Sequence, residues 1–277
     1  VRRGKRLNTI KQIAATLAYV TIFPLPRWTH ADAQGNPIYL PLAGALIGLV
    51  VVLVAVGLFY LKTSGLLAAV LLIGLWLFLT GGLHLDGLMD ATDGIASHRS
   101  RERMLEIMQD SRVGNFAVMA GIFVILIKIA ALFSLFERTL PLSILSLAVV
   151  PIQARLMEAL VIGSFPYARP EGMGRAWHQA ARRPHPIVTS LAAAIVSIAS
   201  ISGMCALAHL AFALPVAPAL IALACTTSGA ALTALITALL VQARLGGHTG
   251  DTYGMIVELS ECGALTTLAL AKDFISL

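Results

Sequence analysis

Residues 80–94 read TGGLHLDGLMDATDG and set Asp86, Asp90 and Asp93 directly after an apolar run. In a helix over 84–97 these three fall at i, i+4 and i+7, within about 60° of one another on a single face. No lysine or arginine occupies the i±3 or i±4 neighbours of that face, and Arg99 begins the basic residues only beyond it. Aligned like charges destabilise a helix and raise one another's pKa. A divalent cation relieves both effects. An all-oxygen site that shares its positions with water and substrate phosphates is what Mg2+ prefers. The spacing therefore predicts a metal-binding core of Asp86, Asp90 and Asp93.

A second stretch, GGHTGDTYGMIVELSE over 246–261, repeats the pattern. Asp251 and Glu258 are seven residues apart, hence on one helix face, with Glu261 about 60° round from Glu258. Asp251 is a candidate to complete the metal site, and Asp251 or Glu258 to act as a general base. His84 and His248 stand inside the two motifs and are candidates for a direct role. Arg155 and Glu158, spaced i, i+3 in an apolar segment, form an expected intramembrane ion pair; the alternative turns Arg155 toward a phosphate. Arg169, Arg175 and Arg244 border glycine-rich stretches that include Gly247, where backbone amides suit phosphate. Arg112, beside Asp110, is a further candidate for substrate contact. Arg99, Arg101 and Arg103 read as membrane-surface charges, and Lys128 stands alone in its apolar segment without an assignment.

The elements that must position these residues are membrane helices. Of 277 residues, 58% are hydrophobic and 12% charged, with a mean hydropathy of +0.85. A soluble domain carries about a quarter charged residues. Apolar segments run over 38–60, 65–82, 113–136, 139–163, 187–212, 217–242 and 254–271. A helical span needs about 20 residues, so the second and last are short. Residues 13–26 are shorter still, end in Pro24 and Pro26, and are expected to form a re-entrant or interfacial helix. The fold class is an all-α polytopic bundle of about seven spans plus that helix, forming one transmembrane domain over 1–277. With residues 1–37 kept on the N-terminal side, fifteen of the 20 lysines and arginines fall on that side, three on the other and two within spans. The positive-inside rule makes the first side cytoplasmic, and it carries every polar motif. The net charge of +6 follows from this topology, and no nucleic-acid partner is expected. Cys205, Cys225 and Cys262 are scattered through apolar runs and suggest neither a disulfide framework nor a zinc site.

LHLDGLMDATDG resembles the signature of the cobalamin (5′-phosphate) synthase, or adenosylcobinamide-GDP ribazoletransferase, family. MQDSRVGNFA (108–117), ARPEGMG (168–174) and RLGGHTGDTYG (244–254) are similar to further blocks of that family, in the same order. Met89 and His248 depart mildly from the pattern. The resemblance implies an Mg2+-dependent transfer in a bacterial inner membrane, with the active site facing the cytoplasm. The 3′-hydroxyl of α-ribazole, or of its 5′-phosphate, would attack the phosphorus bearing the cobinamide arm of adenosylcobinamide-GDP, and GMP would leave. The implied partners are these two substrates and the lipid bilayer, and a homo-oligomer is compatible with the sequence. A CDP-alcohol phosphotransferase is the alternative enzyme, but its D-G-x-x-A-R and G-x-x-x-D-x-x-x-D pattern is not met after Asp86-Gly87. A cation-coupled transporter would place its acids nearer mid-membrane.

Overall fold

The computed structural model describes all residues except 1–8, 26–34, 139, 183–184, 213–214 and 276–277. Arg2, Arg3, Lys5, Arg6, Arg27 and Arg183, counted above toward the topology, lie outside the described residues, as does Pro26. Helix α1 is Thr9–Val20; a 3-10 turn at Pro37–Tyr39 leads into α2, Leu40–Tyr60. Then follow α3 (Gly65–Leu79), α4 (Leu83–Ala96), α5 (Arg101–Ile107) and α6 (Asn115–Arg138). The remainder is α7 (Leu140–Ser164), α8 (Met173–Ala181), α9 (Pro186–Phe212), α10 (Val216–Leu245) and α11 (Gly250–Ala271). No strand occurs among the described residues.

Six of these helices are long and apolar enough to cross a membrane: α2, α6, α7, α9, α10 and α11. Their outward faces carry apolar side chains such as Leu53, Phe123, Ile195 and Leu240, as lipid contact requires. Helix α7 is the axis of the bundle, with 89% of its apolar window buried. Helix α2 lies so close to it that a Cβ on Gly44 would come 2.4 Å from the Pro151 carbonyl oxygen. Helices α10 and α11 pack through small residues, Gly229 against Gly263 and Thr267, the usual way membrane helices approach without a hydrophobic drive between them.

The remaining apolar segment, 65–82, breaks. Helix α3 stops at Leu79, and α4 leaves at 87° to it. Gly81 and Gly82 are the cause: both sit in the left-handed region, at φ 61 and 72, which glycine alone enters freely. Their amides close the end of α3 by donating to Phe78 and Leu77 carbonyls at 2.9 and 3.0 Å. The 14 residues of α4 span about 21 Å, too little to cross hydrocarbon, so α4 lies across one end of the bundle. Helix α1, with 12 residues, is also too short to cross. It is tied to the end of α3 by the Ile22 amide on the Leu79 carbonyl at 2.9 Å.

Asp93 was expected to join Asp86 and Asp90 at a metal, and the structure gives it other work. Its two carboxylate oxygens accept from the amides of Gly114 and Ala117, at 2.6 and 2.8 Å. It therefore caps the N-terminus of α6, where amides lack partners and the helix dipole favours an anion. The helical face expected for 84–97 is present, but its third carboxylate is spent on holding α6 to α4. Replacing Asp93 with alanine is expected to lower stability by about 1–2 kcal/mol, read as a fall in the unfolding midpoint of the detergent-solubilised protein. An unchanged midpoint would show that the cap contributes nothing.

Candidate active site

Helix α4 crosses the start of α11 at backbone contact. A Cβ on Gly87 would lie 2.7 Å from the Asp251 carbonyl oxygen, and one on Gly254 2.7 Å from that of His84. Only glycine at both positions permits this approach. It brings together two acidic stretches more than 150 residues apart in sequence. Asp86 and Asp251 line one cavity, with His84 beside them and Glu158 from the last turns of α7. Arg169, Tyr167 and Trp177 close it from the segment after α7, and Tyr19 of α1 and Tyr253 complete the wall.

The position of Arg169 follows from the backbone around it. The Ala168 amide donates to the His248 carbonyl at 2.7 Å, and the His248 amide to the Pro166 carbonyl at 2.8 Å. This bridge pins the residues after α7 to the turn before α11. Arg101 tightens it, donating from Nε to the Leu245 carbonyl at 2.6 Å and from Nη2 to that of Ala168 at 3.1 Å. Arg101 thus ties two chain segments, where a surface charge was expected. Arg169 then reaches the Asp251 carboxylate at 3.0 Å and the Leu105 carbonyl at 3.2 Å. Its Nε is buried and has no hydrogen-bond partner. Helix α11 begins with a reciprocal cap between Thr249 and Thr252, and Thr249 Oγ1 also donates to Asp251 at 3.2 Å.

Asp90 sits one turn beyond Asp86 on α4 and does not line the cavity. Burial, then the charges of Asp86, Asp251 and Asp93, push its carboxyl up to about 6, and Arg169 opposes the rise. Asp86, Asp90 and Asp251 therefore act on one another. Among the described residues, no group of three or more His, Cys, Asp or Glu side chains is arranged to hold a metal ion.

Beneath the cavity lies a buried charge network. Lys128 of α6 donates to Glu258 at 2.5 Å and to Glu261 of the same helix, α11. Arg155 of α7 pairs with Glu261, so the ion pair expected between Arg155 and Glu158 does not form. Glu258, expected to act at the substrate, instead accepts from Lys128 through Oε2 and does not line the cavity. Arg155 Nη2 lies 3.4 Å from His84 Nδ1. A guanidinium only donates, so Nδ1 accepts and the ring proton sits on Nε2. That atom faces Glu158 Oε2 across 3.9 Å, and neither has a hydrogen-bond partner.

The other sequence candidates lie off the cavity. Arg112 is exposed and pairs with Asp110 at 2.6 Å, holding that carboxyl down to about 2 through its hydrogen bonds. Arg244 is exposed at the end of α10, and Arg175 lies in α8. Gly247 lets Pro166 approach: a Cβ there would be 2.7 Å from its carbonyl oxygen. His248 is buried, its Nδ1 3.1 Å from Thr252 Oγ1, and burial lowers its pKa to about 4. It serves the bridge through its backbone. Tyr19, Tyr167, Trp177 and Tyr253 escaped the sequence reading because aromatic residues in so apolar a chain look like core. Only the placement of Tyr253 inside one glycine-rich block and of Tyr167 directly before another hinted otherwise.

The family model for cobalamin-5-phosphate synthase matches residues 12–269. A curated adenosylcobinamide-GDP ribazoletransferase of Trichormus variabilis is 33% identical over 258 residues, covering 93% of this chain and 96% of its own. Proteins of the same name from Thermosynechococcus vestitus and Escherichia coli are 35% and 34% identical. They cover 92% of this chain each, and 95% and 97% of their own. No solved structure matches the chain.

The network beneath the cavity makes a prediction. Substituting Lys128 by methionine leaves two buried carboxylates sharing one arginine, and removing one partner of a buried pair costs about 3–5 kcal/mol. A large fall in unfolding midpoint is expected, with substantial recovery in the double variant Lys128→Met, Glu258→Gln. A single variant as stable as the parent would mean that these charges are not coupled.

Proposed function

The chain belongs to the cobalamin-5-phosphate synthase family, and on that premise we propose that the cavity around Asp86, Arg169 and Asp251 is where its transfer takes place. The reaction joins adenosylcobinamide-GDP to α-ribazole or α-ribazole 5′-phosphate, giving adenosylcobalamin or its 5′-phosphate and GMP. The observation that carries the placement is the convergence of two distant acidic stretches on one cavity beside an arginine whose buried Nε–H has no partner.

Transfer of this kind asks a protein for positioning and for charge stabilisation more than for covalent chemistry. Arg169 is held at Asp251 and at the Leu105 carbonyl, which leaves Nε–H without a protein acceptor and so available to a phosphoryl oxygen. Such preorganised donors stabilise the charge that builds up in the transition state. The acceptor hydroxyl attacks the phosphorus bearing the cobinamide arm, and the bond from that phosphorus to the GMP oxygen breaks. Asp251 lines the cavity and Glu258 does not, so Asp251 is the carboxylate of the second acidic stretch proposed to receive the hydroxyl proton. GMP departs as the anion.

Asp86 and Asp90 suit a Mg2+ ion. The donors are all oxygen, the carboxyls load one another with negative charge, and Mg2+ commonly takes only one or two carboxylates, filling its shell with phosphate oxygens and water. Asp93 caps α6 with both its oxygens, so the set proposed here for the ion is Asp86 and Asp90. A bound Mg2+ would supply neutralisation of the phosphoryl oxygens. The basic residues of the described connections at this end, Arg99 to Arg112 and Arg169 to Arg182, support a cytoplasmic orientation in a bacterial inner membrane.

The test is GMP release from adenosylcobinamide-GDP and α-ribazole by the chain in lipid nanodiscs. Asp86→Asn and Asp251→Asn are each expected to lower kcat about 100-fold or more. Chelation of divalent cations should stop turnover and added Mg2+ should restore it. Near-parental rates in both variants would remove the reaction from this cavity, and chelator-resistant turnover would remove the metal.

A further inference from the structure

Four aromatic side chains around a charged cavity are more than packing requires. They are arranged as two pairs. Tyr19 is 37% exposed and backed by Trp177, which is 7% exposed, with ring centroids 5.0 Å apart. Tyr167 is half-buried and backed by Tyr253, 3% exposed, with centroids 6.4 Å apart. In each pair the outer ring keeps accessible surface on the cavity and the inner one is covered. The outer rings come from separate parts of the chain, α1 and the segment after α7, yet they meet at this site. Burial chiefly, then the Glu158 carboxylate and more weakly Tyr167 and Asp251, push the Tyr19 phenol up to about 12.

The surroundings hold these rings by their edges. A Cβ on Gly172 would lie 2.8 Å from Tyr167 Oη, and one on Gly174 3.0 Å from its ring. Behind Tyr19, the Trp177 indole is seated on Gly35, whose Cβ would come 2.5 Å from it. Two residues from Tyr167 is Arg169 with its unpartnered Nε–H, and the Tyr253 hydroxyl is likewise buried without a partner. Ring faces beside an anion donor, with an edge hydroxyl to spare, match a flat heteroaromatic base joined through a sugar to a phosphate.

We propose that Tyr19 and Tyr167 form a stacking subsite for the base of a nucleoside phosphate whose phosphate is received at Arg169. The proposal rests on the transfer reading and deepens it, since both substrates of that reaction carry such a base: guanine in the donor and the benzimidazole-type ring of α-ribazole in the acceptor. Stacking of a base on an aromatic side chain corresponds to roughly 5- to 100-fold in affinity.

The experiment uses the full chain in nanodiscs and has two readouts. Steady-state kinetics give KM for each substrate separately, and calorimetry gives the affinities of GMP and α-ribazole 5′-phosphate without turnover. Tyr19→Ala is expected to raise one of the two KM values about tenfold or more, with kcat within about threefold of the parent. The matching probe should weaken equally in calorimetry. Tyr19→Phe, which keeps the ring, should recover the affinity that alanine loses. A rise confined to α-ribazole assigns the subsite to the acceptor, and a rise confined to adenosylcobinamide-GDP assigns it to guanine. If Tyr19→Ala does not fold, Tyr167→Leu and Tyr19→Leu carry the same expectation. Unchanged KM values and unchanged affinities in the folded variants overturn the proposal. So does a phenylalanine variant as impaired as the alanine one. A parent chain without turnover would overturn the transfer reading instead, and the calorimetric arm would still decide the subsite.

Discussion

A charge in hydrocarbon is costly unless it is paired, and the centre of the bundle is arranged around that pairing. Lys128 and Arg155 stand against Glu258 and Glu261 within the bundle, two cations for two carboxylates, drawn from α6, α7 and α11. No two of these helices can slide or rotate without stranding a charge, so the network sets their register as well as their contact. Buried pairs of this kind are weak sources of stability, and their best-attested use is to fix one arrangement among several. Here the arrangement fixed is the end of the bundle where α4 lies. Arg155, drawn to Glu261 through Nη1, presents Nη2 to His84 and so meets the first residues of the aspartate helix.

The contrast between the two acid sets assigns their work. Glu258 and Glu261 are neutralised by cations of the chain itself. Asp86 and Asp90 are not, and Asp90 is pushed up to about 6 by burial and by its acidic neighbours. Asp251 has one partner, Arg169, which keeps a buried donor in reserve. A protein retains an imbalance of this kind where a ligand completes it, and the proposed phosphate and cation would complete this one. The left-handed glycines at 81 and 82 and the glycine crossing at 87 and 254 are what place the unbalanced set at a helix end, where a polar substrate can reach it.

The helices were legible because hydrocarbon thickness dictates the length and polarity of a span; the expected segment 113–136 and the observed Asn115–Arg138 differ by two residues at each end. The break at Gly81 and Gly82 was hidden, since an apolar run ending in Gly-Gly reads equally as the end of a straight span. Within the site, one-dimensional spacing located Asp86 and Asp251 but could not separate a carboxylate facing a ligand from one facing protein. Asp93 shares the face of Asp86, yet the amides that claim it come from residues more than 20 positions later. Arg155 and Glu158 had the ideal spacing for a pair, and a stronger acceptor on α11 took the arginine. Lys128 looked alone because both its partners are about 130 residues away. Long-range contacts of this kind leave no periodic trace in the chain.

The central claim is that the two acidic stretches and Arg169 form one phosphate-handling site. The most direct measurement is a structure of the chain in lipid with GMP and a divalent cation bound. The account predicts the GMP phosphate within hydrogen-bond reach of Arg169 Nε, with the cation on the carboxylates of α4. A nucleotide seated instead at the exposed arginines, Arg112 or Arg244, with the cavity between α4 and α11 left without it, would contradict the account.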